Sequence, residues 1–198
     1  MGLPMAKNLL KSSATLNLFD TNPAAFASFP ASQIQKCSSP ADVSSRSDLI
    51  ITMLPMGKHV RDVYMGENGI LVGLKEGTIC IDSSTIDVKT TKDVAESVAK
   101  KGGVMVDAPV SGGVNGATAG TLTFMIGASA SAFECIKPVL SFMGKNIVYC
   151  GPNGHGMRFC IFSPTNSNLH IRSNRKNMQQ HAPWNLHARR ERNSESWC

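Results

Sequence analysis

The chain has 198 residues, 42% of them hydrophobic and 17% charged, which suits one globular domain with a full core and a tail. No apolar run reaches the roughly 18 to 20 residues of a membrane span, and the opening MGLPMAKNLL puts a lysine inside its apolar stretch, against a secretory signal. The net charge is +6, but from Met157 onward seven Lys or Arg face two Asp or Glu, so five of the six surplus charges lie in a segment without periodicity; this argues against a nucleic-acid surface.

Taken in order, Leu3 to Lys11 reads as a helix with Leu3, Ala6, Leu9 and Leu10 on one face. Leu16 to Asp20 reads as a short strand ending in an acid. Asn22-Pro23 starts a second helix, with Asn as cap and Pro in the first turn. Asp48 to Leu54 is a near-continuous apolar run closed by Pro55, as expected of a buried parallel strand. Thr78 to Asp82 is the next strand, and Asp87 to Lys101 an amphipathic helix. Val104 to Asp107, Leu122 to Ile126 and Asn146 to Cys150 supply further strands, with a helix over Ser131 to Met143. Strands alternating with helices of this length predict βαβ units and a doubly wound α/β fold on a parallel sheet. Residues 157–198 contain no glycine and no lasting period, and are predicted to be a disordered tail outside a domain at 1–156.

The six cysteines (Cys37, Cys80, Cys135, Cys150, Cys160 and Cys198) are scattered without a CxxC, which favours reduced intracellular thiols over a disulfide framework. Cys150, His155, Cys160 and His170 match no zinc spacing, so no metal site is expected.

Chemistry gathers where strands end. Asp20 closes the LNLFD run, where a carboxylate can accept hydrogen bonds from ribose hydroxyls and repel a 2′-phosphate; capping the next helix with Asn22 is its alternative role. Leu54 and Pro55 leave a buried strand end, and Ser83, Ser84 and Thr85 crowd another, where capping competes with ligand contact. In Asp107-Ala108-Pro109-Val110-Ser111-Gly112-Gly113 a strand ends, a proline stiffens the exit, and two glycines let backbone N–H groups approach an anion. Ser111 adds a hydroxyl donor, and such a turn suits a small carboxylate.

The DAPVSGG run, with ITMLP, IDSSTID and the GLPMAKNL opening, resembles the β-hydroxyacid dehydrogenase family over about residues 2 to 158. The resemblance implies a Rossmann-like sheet and NAD as cofactor. It makes Gly2 the last glycine of the fingerprint, so that the first strand and first two glycines are expected to be missing. It implies cofactor contacts at Gly2, Asp20, Leu54, Pro55, His59 and Thr85, and substrate contacts at Ser111, Gly112 and Gly113. His59 stands where the family often has Asn, and a solvated helix cap is its other reading. The implied substrate is a small hydroxy acid, 3-hydroxyisobutyrate of valine breakdown, with tartronate semialdehyde or glyoxylate as the alternative.

The family's lysine, which takes the hydroxyl proton, would by its spacing after Gly151-Pro152-Asn153-Gly154-His155-Gly156 fall at Cys160. No catalytic residue is therefore expected in this chain, which leaves a non-catalytic dinucleotide-binding or interaction module as the competing reading. The resemblance further implies a C-terminal helical domain and a homodimer, neither expected here, and a mitochondrial location. A sheet without its first strand is expected to be marginal in stability.

Overall fold

The structure, a computed structural model, describes residues 1–12 and 14–162. Helix α1 (Gly2–Leu9) passes through a 3-10 turn at Leu10–Ser12 into strand β1 (Leu16–Leu18). After a second 3-10 turn (Pro23–Ser28) come β2 (Ile34–Lys36), α2 (Pro40–Ser45), β3 (Leu49–Thr52), α3 (Gly57–Met65) and α4 (Ile70–Gly73). Then follow β4 (Ile79–Asp82), α5 (Val88–Lys100), β5 (Val104–Asp107), β6 (Val110–Ser111) and α6 (Gly113–Ala119). The described chain closes with β7 (Leu122–Gly127), α7 (Ala130–Leu140), β8 (Gly144–Gly151) and α8 (His155–Phe162).

Short polar side chains start several of these elements. Asn22, Ser39, Asp87 and Ser129 each accept a backbone N–H two or three residues on, filling the donors a helix start leaves open.

Six strands form one mixed sheet in the order β3-β4-β5-β7-β6, with β8 also paired to β7. β3, β4 and β5 are parallel, as are β7 and β8, whereas β7 runs antiparallel to β5 and β6. β1 and β2 pair in parallel as a separate two-stranded sheet. A side-chain bridge from Asn17 Nδ2 on β1 to Arg46 O and Ser47 Oγ, 3.1 Å each, ties it to the approach to β3.

The period-two alternation of the strands sends neighbours to opposite faces. Ile79, Ile81 and Val106 join Met5, Ala117, Phe124, Ile136 and Leu140 on one side, under α1, α6 and α7. Ile50, Cys80 and Met105 join Val60, Tyr64, Val94, Val98 and Met157 on the other, under α3, α5 and α8. Helices thus cover both faces of the sheet, as the doubly wound expectation requires.

The differences have physical causes. The segment after Asn22 is a 3-10 turn and not an α-helix: none of its residues is buried, so no apolar face holds a longer helix down. α4, β6 and α6, with the short β2 and α2, are additions to the expected elements, and α3 was expected only as a helix start at His59. α8 carries helix on to Phe162, past the point where the sequence pattern fades; the tail expected at 157–198 otherwise lies outside the described residues. Cys37, Cys80, Cys150 and Cys160 are free thiols. Among the described residues no helix is long and apolar enough to cross a membrane, and no group of three potential ligands could hold a metal ion.

Candidate functional site

Register sets the level of the site. Thr52 stands opposite Asp82, and Asp82 opposite Asp107, so three parallel strands finish on one rung. The loops that leave this rung carry Leu54 and Pro55, Ser83 to Thr85, and the turn after Asp107. Ligand crevices of open α/β sheets form at such carboxyl ends.

Below the loops lies a buried polar network. Asp82 is 1% exposed, and its Oδ1 accepts from Thr52 Oγ1 at 2.9 Å, Ser84 N at 3.1 Å and Ser84 Oγ at 2.6 Å. Thr52 Oγ1 also lies 3.2 Å from the hydroxyl of the fully buried Tyr64. Ser84 Oγ in turn accepts from Leu54 N at 2.9 Å, so the loop after β3 is pinned to the loop after β4. Burial raises the Asp82 carboxyl above its ordinary pKa, against the lowering effect of its hydrogen bonds.

The second strand-end acid points elsewhere. Asp107 is fully buried, and burial raises its carboxyl too. Its oxygens accept from Gly154 N at 2.5 Å and Met157 N at 2.7 Å, at the start of α8. Each oxygen is thus engaged at the start of α8.

That turn is open to solvent. Ser111, Gly112 and Gly113 are exposed. Gly112 has φ of 128° and Gly113 of 61°, conformations that a side chain disfavours. The two glycines lead directly into α6, whose first residue has no side-chain cap.

The remaining expected residues fall as follows. Gly2 begins α1, where a Cβ would lie 3.8 Å from Met53 Cβ, beside the exit of β3. Asp20 is exposed just past β1, and its Oδ1 accepts from Asn22 N at 2.8 Å. The turn role leaves Asp20 exposed. Leu54 is half-buried and Pro55 exposed. His59 is half-buried in the first turn of α3, with Nδ1 buried and without a partner. Thr85 is exposed. Burial raises the Cys160 thiol, while Thr85 works the other way.

Sequence reasoning missed the Asp82 network and the attachment of Asp107 to α8. The one signal for both was an acid closing an otherwise apolar strand, in TICID and in VMVD. It also missed Asn8, 4% exposed on α1, whose Nδ2 donates to Ala117 O at 2.6 Å and so ties α1 to the end of α6.

Comparisons with known proteins agree with this geometry. The 3-hydroxyisobutyrate dehydrogenase of rat mitochondria is 48% identical over 156 residues, covering 79% of this chain and 47% of that protein. An NAD-dependent L-serine dehydrogenase of Pseudomonas aeruginosa is 40% identical over 156 residues, covering 79% of this chain and 52% of that protein. In structure, the Mycobacterium tuberculosis 3-hydroxyisobutyrate dehydrogenase with L-serine superposes with a TM-score of 0.76 at 37% identity, over 81% of this chain and 54% of that one. The chain thus spans about half the length of the relatives it matches. Residues 1–151 match the family described as the NAD binding domain of 6-phosphogluconate dehydrogenase, and the chain belongs to that family.

Proposed function

We propose that residues 1–156 are the dinucleotide-binding part of an NAD-dependent 3-hydroxyisobutyrate dehydrogenase, and that this chain binds NAD without turning substrate over by itself. The observation that carries this reading is the shared rung of Thr52, Asp82 and Asp107, which brings the Leu54, Thr85 and Ser111 loops to one edge of the sheet. The residues present suit NAD. Asp20 is exposed and can accept from the ribose hydroxyls, and the buried Nδ1 of His59 lacks a partner at a helix start without a side-chain cap.

In this reading Leu54 and Pro55 line the cofactor and Thr85 meets its nicotinamide end. Ser111 and the backbone of Gly112 and Gly113 bind the carboxylate of the hydroxy acid. NAD held there would supply the hydride acceptor for the hydroxyl-bearing carbon. The hydroxyl proton needs a base, and residue 160 offers only a thiol whose pKa burial has raised. The chain therefore holds the binding surfaces and lacks the proton acceptor. The mitochondrial naming of the mammalian relatives supports the same destination for the complete protein.

L-serine is the second reading of the substrate, supported by the M. tuberculosis and P. aeruginosa relatives; like 3-hydroxyisobutyrate it is a small 3-hydroxy carboxylate.

Calorimetry with NAD tests the proposal, on the chain as it stands and on a version extended by the strand and GxGxM turn of the family. Saturable binding by the chain itself, stronger than binding of NADP, is the expected result. Binding only after extension would assign the cofactor correctly and show that the added turn is needed to hold it. Absence of binding by both would overturn the cofactor assignment.

A further inference from the structure

The geometry points to Arg61 as a positioning residue: it clasps the start of α3 to the start of α5 and so fixes the two proposed cofactor loops at their outer ends. The clasp stands on geometry; its bearing on NAD rests on the proposed function.

Both loops are short and lead straight into those helices. Residues 53–56 join β3 to α3, and residues 83–87 join β4 to α5. At their inner ends the two are held together by the bond from Leu54 N to Ser84 Oγ at 2.9 Å. That bond alone leaves the far side of each loop free to move with the helix that follows it.

The helix starts meet through residues whose spacing puts them face to face. Gly57 and Arg61 are four apart on α3, and Asp87, Thr90 and Asp93 follow three apart from the cap of α5, so each set shares one helical face. Gly57 permits the close approach: a Cβ there would lie 3.1 Å from Asp87 Oδ2 and 3.3 Å from Thr90 Oγ1. One turn on, Arg61 Nη2 donates to Thr90 Oγ1 at 3.1 Å and to Asp93 Oδ2 at 2.9 Å. The Thr90 hydroxyl has one proton and gives it to Asp87 Oδ2 at 2.7 Å, so toward Arg61 it can only accept. Asp87 in turn caps α5 by accepting from Thr90 N at 2.8 Å. Donation thus runs one way, from Arg61 through Thr90 to the cap that ends the Thr85 loop. Thr90 is 3% exposed, so water does not readily replace the guanidinium at its hydroxyl.

The pair with Asp93 is open to solvent, at 41% and 37% side-chain exposure, and such pairs add little to folding. Its effect is local. With the outer ends clasped and the inner ends bonded, the Leu54-Pro55 and Thr85 loops keep a fixed separation.

The test uses the full chain, first without NAD. Amide exchange is followed at Leu54 and Thr90, with Ile81 and Val106 of the fully buried strand core as references. In Arg61→Ala, Leu54 and Thr90 are expected to exchange about two- to tenfold faster, between the scale of an exposed ion pair and that of a charged hydrogen bond, while Ile81 and Val106 stay unchanged. A merely structural role would move all four together. Thr90→Val breaks the same chain of donors, so its effect on Leu54 should be smaller in Arg61→Ala than in the native background. Unchanged Leu54 exchange in Arg61→Ala, equal acceleration at all four amides, or strict additivity of the two substitutions overturns the clasp. Calorimetry with NAD follows, on whichever of the chain and its extended version binds. Affinity about two- to tenfold weaker in Arg61→Ala is expected, and equal affinity overturns the role toward the cofactor. Absence of NAD binding by both overturns that role together with the proposed function, while the exchange pattern still decides the clasp.

Discussion

Thr52 and Asp82 face each other across two parallel strands, and the threonine hydroxyl donates to Asp82 Oδ1 at 2.9 Å where neither side chain meets solvent to any extent. Ser84 donates to the same oxygen through both its N–H and its hydroxyl. All the named donors converge on one carboxylate oxygen, and Ser84 then holds Leu54 N. The network therefore sets how the loops after β3 and β4 leave the sheet, and those loops carry three of the proposed cofactor contacts, Leu54, Pro55 and Thr85.

Because the described hydrogen bonds all use Oδ1, Asp82→Asn can keep every one of them. In the native protein burial raises the Asp82 pKa in the folded state. An acid with a raised folded pKa costs stability when ionised, so stability rises as pH falls through the folded pKa and levels off below the unfolded one. Asp82→Asn is expected to match or exceed the native chain in thermal stability at pH 7 and to lose this acid-side gain. Asp107 shifts in the same direction and keeps its own share in both proteins. Thermal unfolding from pH 4 to 7.5 checks this; a variant clearly weaker at pH 7 would show that the ionised carboxylate is the favoured form.

Tyr64 reports on the same network from the other side. Its ring is fully buried, and its hydroxyl meets only Thr52 Oγ1 among the described hydrogen bonds. Thr52 retains Asp82 as a partner when that hydroxyl is removed, so Tyr64→Phe should cost about 0.5–1.5 kcal/mol. Tyr64→Ala leaves a cavity and should cost about 3–5 kcal/mol. Urea unfolding of the two variants measures the difference, and near-equal losses would mean that the hydroxyl and not the ring volume dominates.

What the sequence made legible was what burial makes periodic. The central strands announced themselves because both faces are covered, and Val104 to Asp107 falls where its pattern places it. α6 did not, since GVNGATA combines two glycines with little apolar surface. It is held instead by contacts from far along the chain, among them the Asn8 bond to Ala117 O. α8 was hidden for a similar reason: its start is determined by Asp107, fifty residues earlier for Met157. At the site, motif matching located loops, and hydrogen-bond direction could not be read from it. The acid that opens DAPVSGG thus belongs to α8 and not to the substrate turn.

The paired glycines of that turn should differ in what they tolerate. At Gly113 there is open space around a new Cβ, so Gly113→Ala meets mainly the left-handed backbone and should cost about 1–2 kcal/mol. Gly112 has the more extreme φ, and a Cβ there would lie 3.2 Å from Leu122 Cδ2. Gly112→Ala should therefore cost more than Gly113→Ala, through about 1–3 kcal/mol of backbone strain plus the clash. Chemical denaturation of both variants ranks them, and the reverse order would show that the turn relaxes freely.

Asn8 allows a sharper test, because electrostatic intuition and hydrogen-bond direction give opposite answers. Its Oδ1 accepts from Lys11 Nζ at 2.6 Å, so Asn8→Asp would create a close ion pair. Its Nδ2 donates to the buried Ala117 carbonyl at 2.6 Å, so the same change turns a donor into an anionic oxygen facing another oxygen. Lys11 is exposed, and an ion pair reaching solvent contributes about 0–1 kcal/mol. Losing a buried donor from a carbonyl costs about 1–3 kcal/mol, before the repulsion and the burial of charge are added. Asn8→Asp is therefore expected to be less stable than Asn8→Ala, which deletes the bond without opposing it. Amide exchange in α6 should accelerate in both variants, since Ala117 lies in its last turn. Urea midpoints decide the order: Asn8→Asp at or above Asn8→Ala would mean that the Lys11 pair outweighs the reversed hydrogen bond.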